Sequence, residues 1–257
     1  MSGFSTTAII LRRVEYGDYD FILTLFSRDR GKISAIAKSA QKSKRRFGGI
    51  LELFSLLEIE VGSSRSGGLL ILKEAVSRNL FSNIRSDIKK TAYACYWTEL
   101  INLWLEEGNT HPALYEVFGY VLEQLDRAGI DEEPLSILFQ MRFLSIAGLK
   151  PNFESCANCR RPTADIDASM VFLSLSAGGV ICPSCSGSRS ANMKLSKGTI
   201  KLLQWMDGGD ITKAGRIRFS AAEQKESLLF LESFIPYHIG REPKSLKFLK
   251  NYRRGPL

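Results

Sequence analysis

The feature that most constrains the fold is a change of hydrophobic period near Asn83. Before it, the chain alternates with period two in short runs; after it, apolar residues recur at helical spacing. Five strands are predicted in the first part: Thr6 to Val14, Asp20 to Ser27, Lys32 to Ala37, Leu51 to Val61 and Leu69 to Val76. Phe21, Leu23 and Leu25 alternate with Ile22, Thr24 and Phe26, and β-branched and aromatic residues are plentiful. Turn signals at Tyr16-Gly17-Asp18, Asp29-Arg30-Gly31, Gly48-Gly49 and Gly62 to Gly68 separate the runs. Five strands in about 75 residues suit a small barrel of the OB type.

Beyond Asn83, Ile88, Ala92, Cys95, Tyr96, Leu100, Leu103 and Trp104 are expected on one helical face. Leu114, Val117, Phe118, Val121, Leu122 and Leu125 are expected on a second, with Pro112 at its start and Gly129 past its end. A third helix is predicted from about Pro134 to Ala147, stopped by Gly148 and Pro151. Two more follow, at about Ser196 to Met206 and Ala221 to Ile239. The predicted class is α+β multidomain: a five-stranded OB barrel (residues 1–80), a helical domain (81–150 and 190–257) and an inserted cysteine module (151–189).

That module rests on Cys156-Ala-Asn-Cys159 and Cys182-Pro-Ser-Cys185, two C-x2-C knuckles 22 residues apart. Each places two thiols on a tight turn, and four thiolates suit one zinc ion held tetrahedrally. Four protein ligands leave no position for a reacting water, so the zinc is expected to be structural. The start of the chain has no charged leader before an apolar core, and no apolar run spans a bilayer. A cytoplasmic setting follows, where thiols stay reduced and disulfides are the alternative to set aside.

Charge is unevenly placed. Arg28, Arg30, Lys32, Lys38, Lys42, Lys44, Arg45 and Arg46 share one segment with a single acid, Asp29, giving +7 of the chain's +8. A second cluster, Lys244, Lys247, Lys250, Arg253 and Arg254, closes the chain. The first cluster lies mostly between the third and fourth strands, on a barrel type that commonly holds oligonucleotides. Its cations can meet successive phosphates, and Phe47 is expected to offer a ring for base stacking. The bland alternative is a solvated basic loop.

No phosphate-cradling loop is present, since Phe26 and Ile33 stand where a P-loop needs glycine and Ser or Thr. Glu15, Asp18 and Asp20 are close enough in sequence to suggest a Mg²⁺-dependent nuclease, although Asp18 and Asp20 also suit a turn. His111 and His238 stand in no motif, and Cys95 reads as a small core thiol. A zinc-ribbon RNA-binding or transcription accessory protein is a further alternative.

Several stretches, taken together, resemble the RecO family of bacterial recombination proteins. They are Tyr16-Gly-Asp-Tyr-Asp20, Leu25-Phe-Ser-Arg-Asp-Arg-Gly-Lys32, and the run from Ala35 through Lys38-Ser-Ala-Gln-Lys42 and Arg45-Arg46-Phe47-Gly-Gly to Leu51. Gly148-Leu-Lys-Pro151, both knuckles with Phe172 and Ala177-Gly-Gly-Val-Ile-Cys182, and His238 to Leu249 complete the pattern in order. Ser39 departs from it, because the family usually has glycine there. The resemblance implies a non-enzymatic protein of the bacterial nucleoid that binds single- and double-stranded DNA and anneals complementary strands. It implies RecR as a partner, help in loading RecA, and contact with the acidic tail of single-strand-binding protein. For that tail, a groove on the helical body flanked by Lys244, Lys247 and Lys250 is expected, since an acidic, apolar tail needs both features.

Overall fold

The computed structural model describes residues 3–43, 45–63, 69–187 and 193–254. Lys44 and the 64–68 part of the predicted glycine turn lie outside them. Strands β1 (Phe4–Tyr16), β2 (Asp20–Ser27), β3 (Gly31–Ala37), β4 (Leu56–Gly62) and β5 (Leu70–Asn79) close a barrel in the order β1-β2-β3-β5-β4. All pairings are antiparallel except β3 with β5, which run parallel at Ala35↔Leu70 and Ile36↔Ile71. A register shift between Ile10 and Arg12 bends β1, so that one long strand pairs with β4 early and β2 late.

Alternation fills the interior. Ala8, Ile10, Leu23, Leu25, Ile33, Ala35, Ala37, Leu57, Ile59, Val61 and Leu72 form one buried cluster, so of the two alternating sets of β2 it is that of Leu23 and Leu25 that joins this core. The fourth strand starts later than expected, at Leu56 rather than Leu51. Leu51 is apolar because it plugs the barrel, not because it pairs: it belongs to the barrel's buried cluster, and Phe54, at φ 71°, is buried as well. The plug is fixed to β1 by Phe54 N–H donating to the Ile10 carbonyl at 3.0 Å and Ile10 N–H to Ser55 at 3.2 Å.

By packing, the chain divides into two compact units. One runs to Ile130 and includes the chain from Phe248; the other is Asp131–Lys247. Helices therefore occur in both, whereas the division read from the sequence follows element type. The first unit adds α1 (Ser82–Ser86), α2 (Ile88–Trp104) and α3 (Pro112–Asp126) to the barrel. The apolar face predicted for α3 is buried at every position. That of α2 is not: Ile88 is 57% exposed, while Tyr93, Ala94, Trp97 and Ile101 are fully buried. Burial wraps round α2 beyond one stripe, so a single-face reading of period 3.6 misplaces its ends.

The barrel is joined to these helices through β3. The Lys32 ammonium donates to the Asn102 carbonyl at 3.0 Å, and Gly108 N–H donates to the Lys32 carbonyl at 2.8 Å. At Gly31, φ 66°, an added Cβ would lie 2.0 Å from the Asn109 carbonyl oxygen, so only glycine fits. Phe26 meets Tyr115 of α3 edge-on, with centroids 5.5 Å apart.

In the second unit, α4 (Glu132–Ile146) packs with α6 (Lys197–Asp207) and α8 (Ala221–Ile239). Strands β6 (Met170–Ser174), β7 (Gly179–Ile181) and β8 (Met193–Ser196) form an antiparallel sheet in the order β7-β6-β8. Two short helices, α5 (Pro183–Ser186) and α7 (Ile211–Ala214), complete it. A capping box of Ser220 and Glu223 starts α8, and Gly240 at φ 81° ends it. The basic tail is itself a helix, α9 (Lys244–Arg254), not foreseen as one. Leu246 and Leu249, three apart and buried, were its signal. Among the described residues no helix is long and apolar enough to cross a membrane.

Candidate nucleic-acid interface and metal centre

The structure separates the basic segment into two groups at opposite ends of β3. Seven residues at a rise of about 3.3 Å hold them about 20 Å apart. At one end stand Arg28, Arg30 and Lys32. Arg28 pairs with Glu116 of α3 at 2.8 Å, and the Arg30 guanidinium lies 4.8 Å over the Phe4 ring. Lys32 is spent on the Asn102 carbonyl, and burial pushes its pKa down against the opposing pull of Glu107 and Glu106. Its ammonium thereby ties the barrel to α2.

At the other end, the loop from β3 to β4 carries Lys38, Lys42, Arg45 and Arg46. Lys38, Lys42 and Arg45 are exposed. Arg46 braces the loop, donating from Nη2 to the Lys38 carbonyl at 2.8 Å and from Nε to the Ser43 hydroxyl at 3.2 Å. Phe47 does not offer a ring to a base. It is 2% exposed and belongs to the barrel core, because Phe47 N–H and Gly48 N–H both fold back onto the Ser43 carbonyl at 3.2 Å and turn the side chain inward.

Ser39, the departure from the family pattern, has φ 54°, a left-handed conformation that glycine adopts without cost. Ser39→Gly is therefore expected to stabilise the protein by about 0.5–1 kcal/mol, the relief of strain outweighing the added freedom of the unfolded chain. A urea midpoint that stays put or falls would show the loop is not strained there.

The β1–β2 hairpin stands against this loop. Ser39 N–H donates to the Asp20 carboxylate at 2.7 Å, and Gln41 N–H to the Tyr19 carbonyl at 3.1 Å. The Lys42 ammonium lies 3.2 Å from the centroid of the Tyr19 ring. Tyr19 is thus an exposed aromatic beside a loop cation, and Tyr16, also exposed, pairs across the hairpin with Asp20, whose carboxylate holds the loop; neither place is taken by the expected Phe47. The signal was there: two tyrosines at a hairpin turn have no core to enter.

Asp20 is occupied in anchoring the loop. Among the described residues, Glu15, Asp18 and Asp20 do not form a group able to share a metal ion. His111 stands at the residue before α3, its ring 4.7 Å from that of Trp104, and His238 packs on Phe234 at 4.2 Å. Burial, opposed by a hydrogen bond to the Leu175 backbone, lowers the His238 pKa. Cys95 is half-buried, and burial followed by the Glu99 charge raises its thiol pKa. On α9, Lys244 and Lys247 are exposed and Lys250 half-buried, above the buried Leu246 and Leu249.

None of the five cysteines forms a disulfide, and the two knuckles converge. The sulfurs of Cys156, Cys159, Cys182 and Cys185 lie within 4.8 Å of one another. Cys159 and Cys182 are 3.7 Å apart, close to the separation of about 3.8 Å that a tetrahedron of metal–sulfur bonds near 2.3 Å requires. Cys182 N–H donates to the Cys156 sulfur at 3.3 Å. Burial works against the Cys156 thiolate, but backbone N–H groups of Cys159, Cys182 and Asn158 outweigh it and bring the pKa down to about 6. Burial pushes Cys182 up to about 11. The knuckle loops are held by β7: Ala157 N–H donates to the Val180 carbonyl at 2.8 Å. The donor set and spacing fit a zinc module.

Models of known families match both parts of the chain. Recombination protein O N terminal matches residues 1–81, and Recombination protein O C terminal matches residues 85–247. The chain is 42% identical over 255 residues to DNA repair protein RecO of Desulfatibacillum aliphaticivorans, an alignment covering 99% of each. It is 42% identical over 258 residues to that of Desulfosudis oleivorans, covering 98% of this chain and 99% of the relative. To that of Anaeromyxobacter sp. (strain K) it is 32% identical over 257 residues, covering 100% and 99%. With a closed barrel in the region of the first model, the paired knuckles in that of the second, and identity sustained from end to end, the chain belongs to the Recombination protein O family.

Proposed function

We propose that the protein is a non-enzymatic mediator of recombinational DNA repair in the bacterial cytoplasm, working at the nucleoid. It binds single- and double-stranded DNA, anneals complementary strands and, with RecR, helps RecA load onto DNA coated by single-strand-binding protein. The observation that carries this reading is the exposed cationic loop braced on a closed five-stranded barrel, in a chain related throughout its length to DNA repair proteins.

Annealing needs no reacting side chain. Two strands pair by themselves once their mutual charge repulsion is screened and their bases are left accessible. Lys38, Lys42, Lys44, Arg45 and Arg46 would meet phosphates, with Arg30 as an outlying contact and Arg28 held back by its partner Glu116. One zinc ion on Cys156, Cys159, Cys182 and Cys185 would supply rigidity by cross-linking the two knuckles. The α9 lysines Lys244, Lys247 and Lys250 would attract the acidic tail of single-strand-binding protein.

The test is annealing of complementary oligonucleotides coated with single-strand-binding protein, without ATP. Rapid annealing by the wild type, lost when Lys42, Lys44, Arg45 and Arg46 are replaced by alanine, is the expected result. No annealing by the wild type would overturn the mediator reading.

A further inference from the structure

Single exposed aromatic residues are ordinary on a protein surface. Tyr16 and Tyr19 are distinguished by where they stand. Tyr16 ends β1 and Tyr19 lies in the turn of the β1–β2 hairpin, 56% and 43% exposed, with Tyr16 closing the ladder opposite Asp20. The turn is tied to the cationic loop through Ser39, Gln41 and the Lys42 ammonium over the Tyr19 ring. Tyr19, through Lys42, and Tyr16, through its ladder partner Asp20, therefore stand at the same end of the barrel as the cationic loop.

The chemistry of such an end discriminates between forms of DNA. Phosphates are present on single strands and duplexes alike, so the loop cations cannot tell them apart except by charge density. Base faces are open only on a single strand, and any base can stack on a tyrosine. We propose that Tyr16 and Tyr19 form a stacking platform for the bases of a single strand whose phosphates the Lys38 to Arg46 loop holds. The two rings make this surface prefer single-stranded DNA, independently of sequence. The proposal rests on the DNA-binding reading above and adds to it which residues recognise the exposed base.

Affinities of the full chain would be measured for oligo(dT), for an abasic strand of the same length, and for a duplex. The abasic strand keeps the phosphates and removes the rings' partners. Wild type should bind oligo(dT) more tightly than the abasic strand. Tyr16→Ala with Tyr19→Ala should weaken oligo(dT) binding by about tenfold or more and leave abasic and duplex binding unchanged. Tyr16→Phe with Tyr19→Phe, which keeps both rings, should behave as wild type. Equal losses on oligo(dT) and the abasic strand would overturn the platform, since stacking cannot act without bases. Unchanged oligo(dT) binding in the alanine pair would also overturn it. If the loop variant then still lost binding to every strand, the phosphate surface would stand without the platform. If neither variant changed binding, both readings would fall.

Discussion

On the proposed zinc site, Cys156→Ser is expected to release the metal and unravel the segment between α4 and α6, leaving the barrel folded. Structural zinc contributes about 10–16 kcal/mol to small modules of this kind, as much as or more than the net stability of a whole domain. Strands β6, β7 and β8 are only three to five residues long, at the short end for strands, so a cross-link between the two knuckles is expected to contribute much of this sheet's stability. Cys156 is the ligand whose loss should cost most, because it is buried and its sulfur also accepts the Cys182 N–H. Cys159 is exposed, so Cys159→Ser should leave three ligands and a weakened site. Hydrogen exchange localises the effect: amides of β6 and β7 should lose protection in Cys156→Ser, or on chelation of the wild type, while those of β1 to β5 keep theirs.

The same site should be sensitive to acid. The metal takes thiolates, so protons compete with it, and affinity falls as pH falls. With Cys156 lowered to about 6, its thiolate is available at neutral pH and is lost below that value. Cys182, raised to about 11, must release its proton to solvent as its sulfur takes up the ion throughout the neutral range. Release of one zinc to a chelator should accordingly be faster at about pH 5 than at pH 8. Equal protection of β6 and β7 with and without metal would show that the sheet stands by itself and that the knuckles are not its staple.

How much was legible beforehand depended on how local the cause was. The barrel strands and the four cysteines were readable because alternation and C-x2-C spacing are properties of a few neighbouring residues. Strand β2 and helix α8 carry their bounds in sequence, the latter through its Ser220 to Glu223 box. Phe47 was misread because its inward turn comes from hydrogen bonds to Ser43, which a basic and glycine-rich composition does not announce. The bracing bond of Lys32 was not readable because its partner, the Asn102 carbonyl, is seventy residues away. Leu51 to Ser55 look like strand by hydrophobicity alone, and only the barrel's need for a plug makes them a turn. Helix α9 was hidden by its charge, since its two leucines are a thin stripe among lysines.

Replacing Lys42, Lys44, Arg45 and Arg46 by alanine is expected to abolish most of the protein's salt-dependent affinity for DNA. On a single strand each neutralised phosphate contributes roughly 0.7 to the slope of log affinity against log salt, so a surface of about five contacts gives a slope near −3.5. Removing four should bring it to about −0.7, and at about 0.1 M salt should cost between two and three orders of magnitude in affinity. The loss should be the same for every sequence, because phosphates carry no sequence information. Arg46 has a second role in bracing Lys38 and Ser43, so Arg46→Ala alone should lower affinity by more than one phosphate contact, and Arg46→Lys by less than Arg46→Ala. The comparison that decides the geometry is Arg28→Ala with Arg30→Ala at the far end of β3. Arg28 is already paired with Glu116, so this variant should flatten the slope by about 0.7 at most. If it flattens the slope as much as the loop variant does, the strand must run the length of β3 and the two basic groups act as one surface. If only the loop variant does, DNA is held at the end of the barrel where Tyr16, Tyr19 and the loop meet.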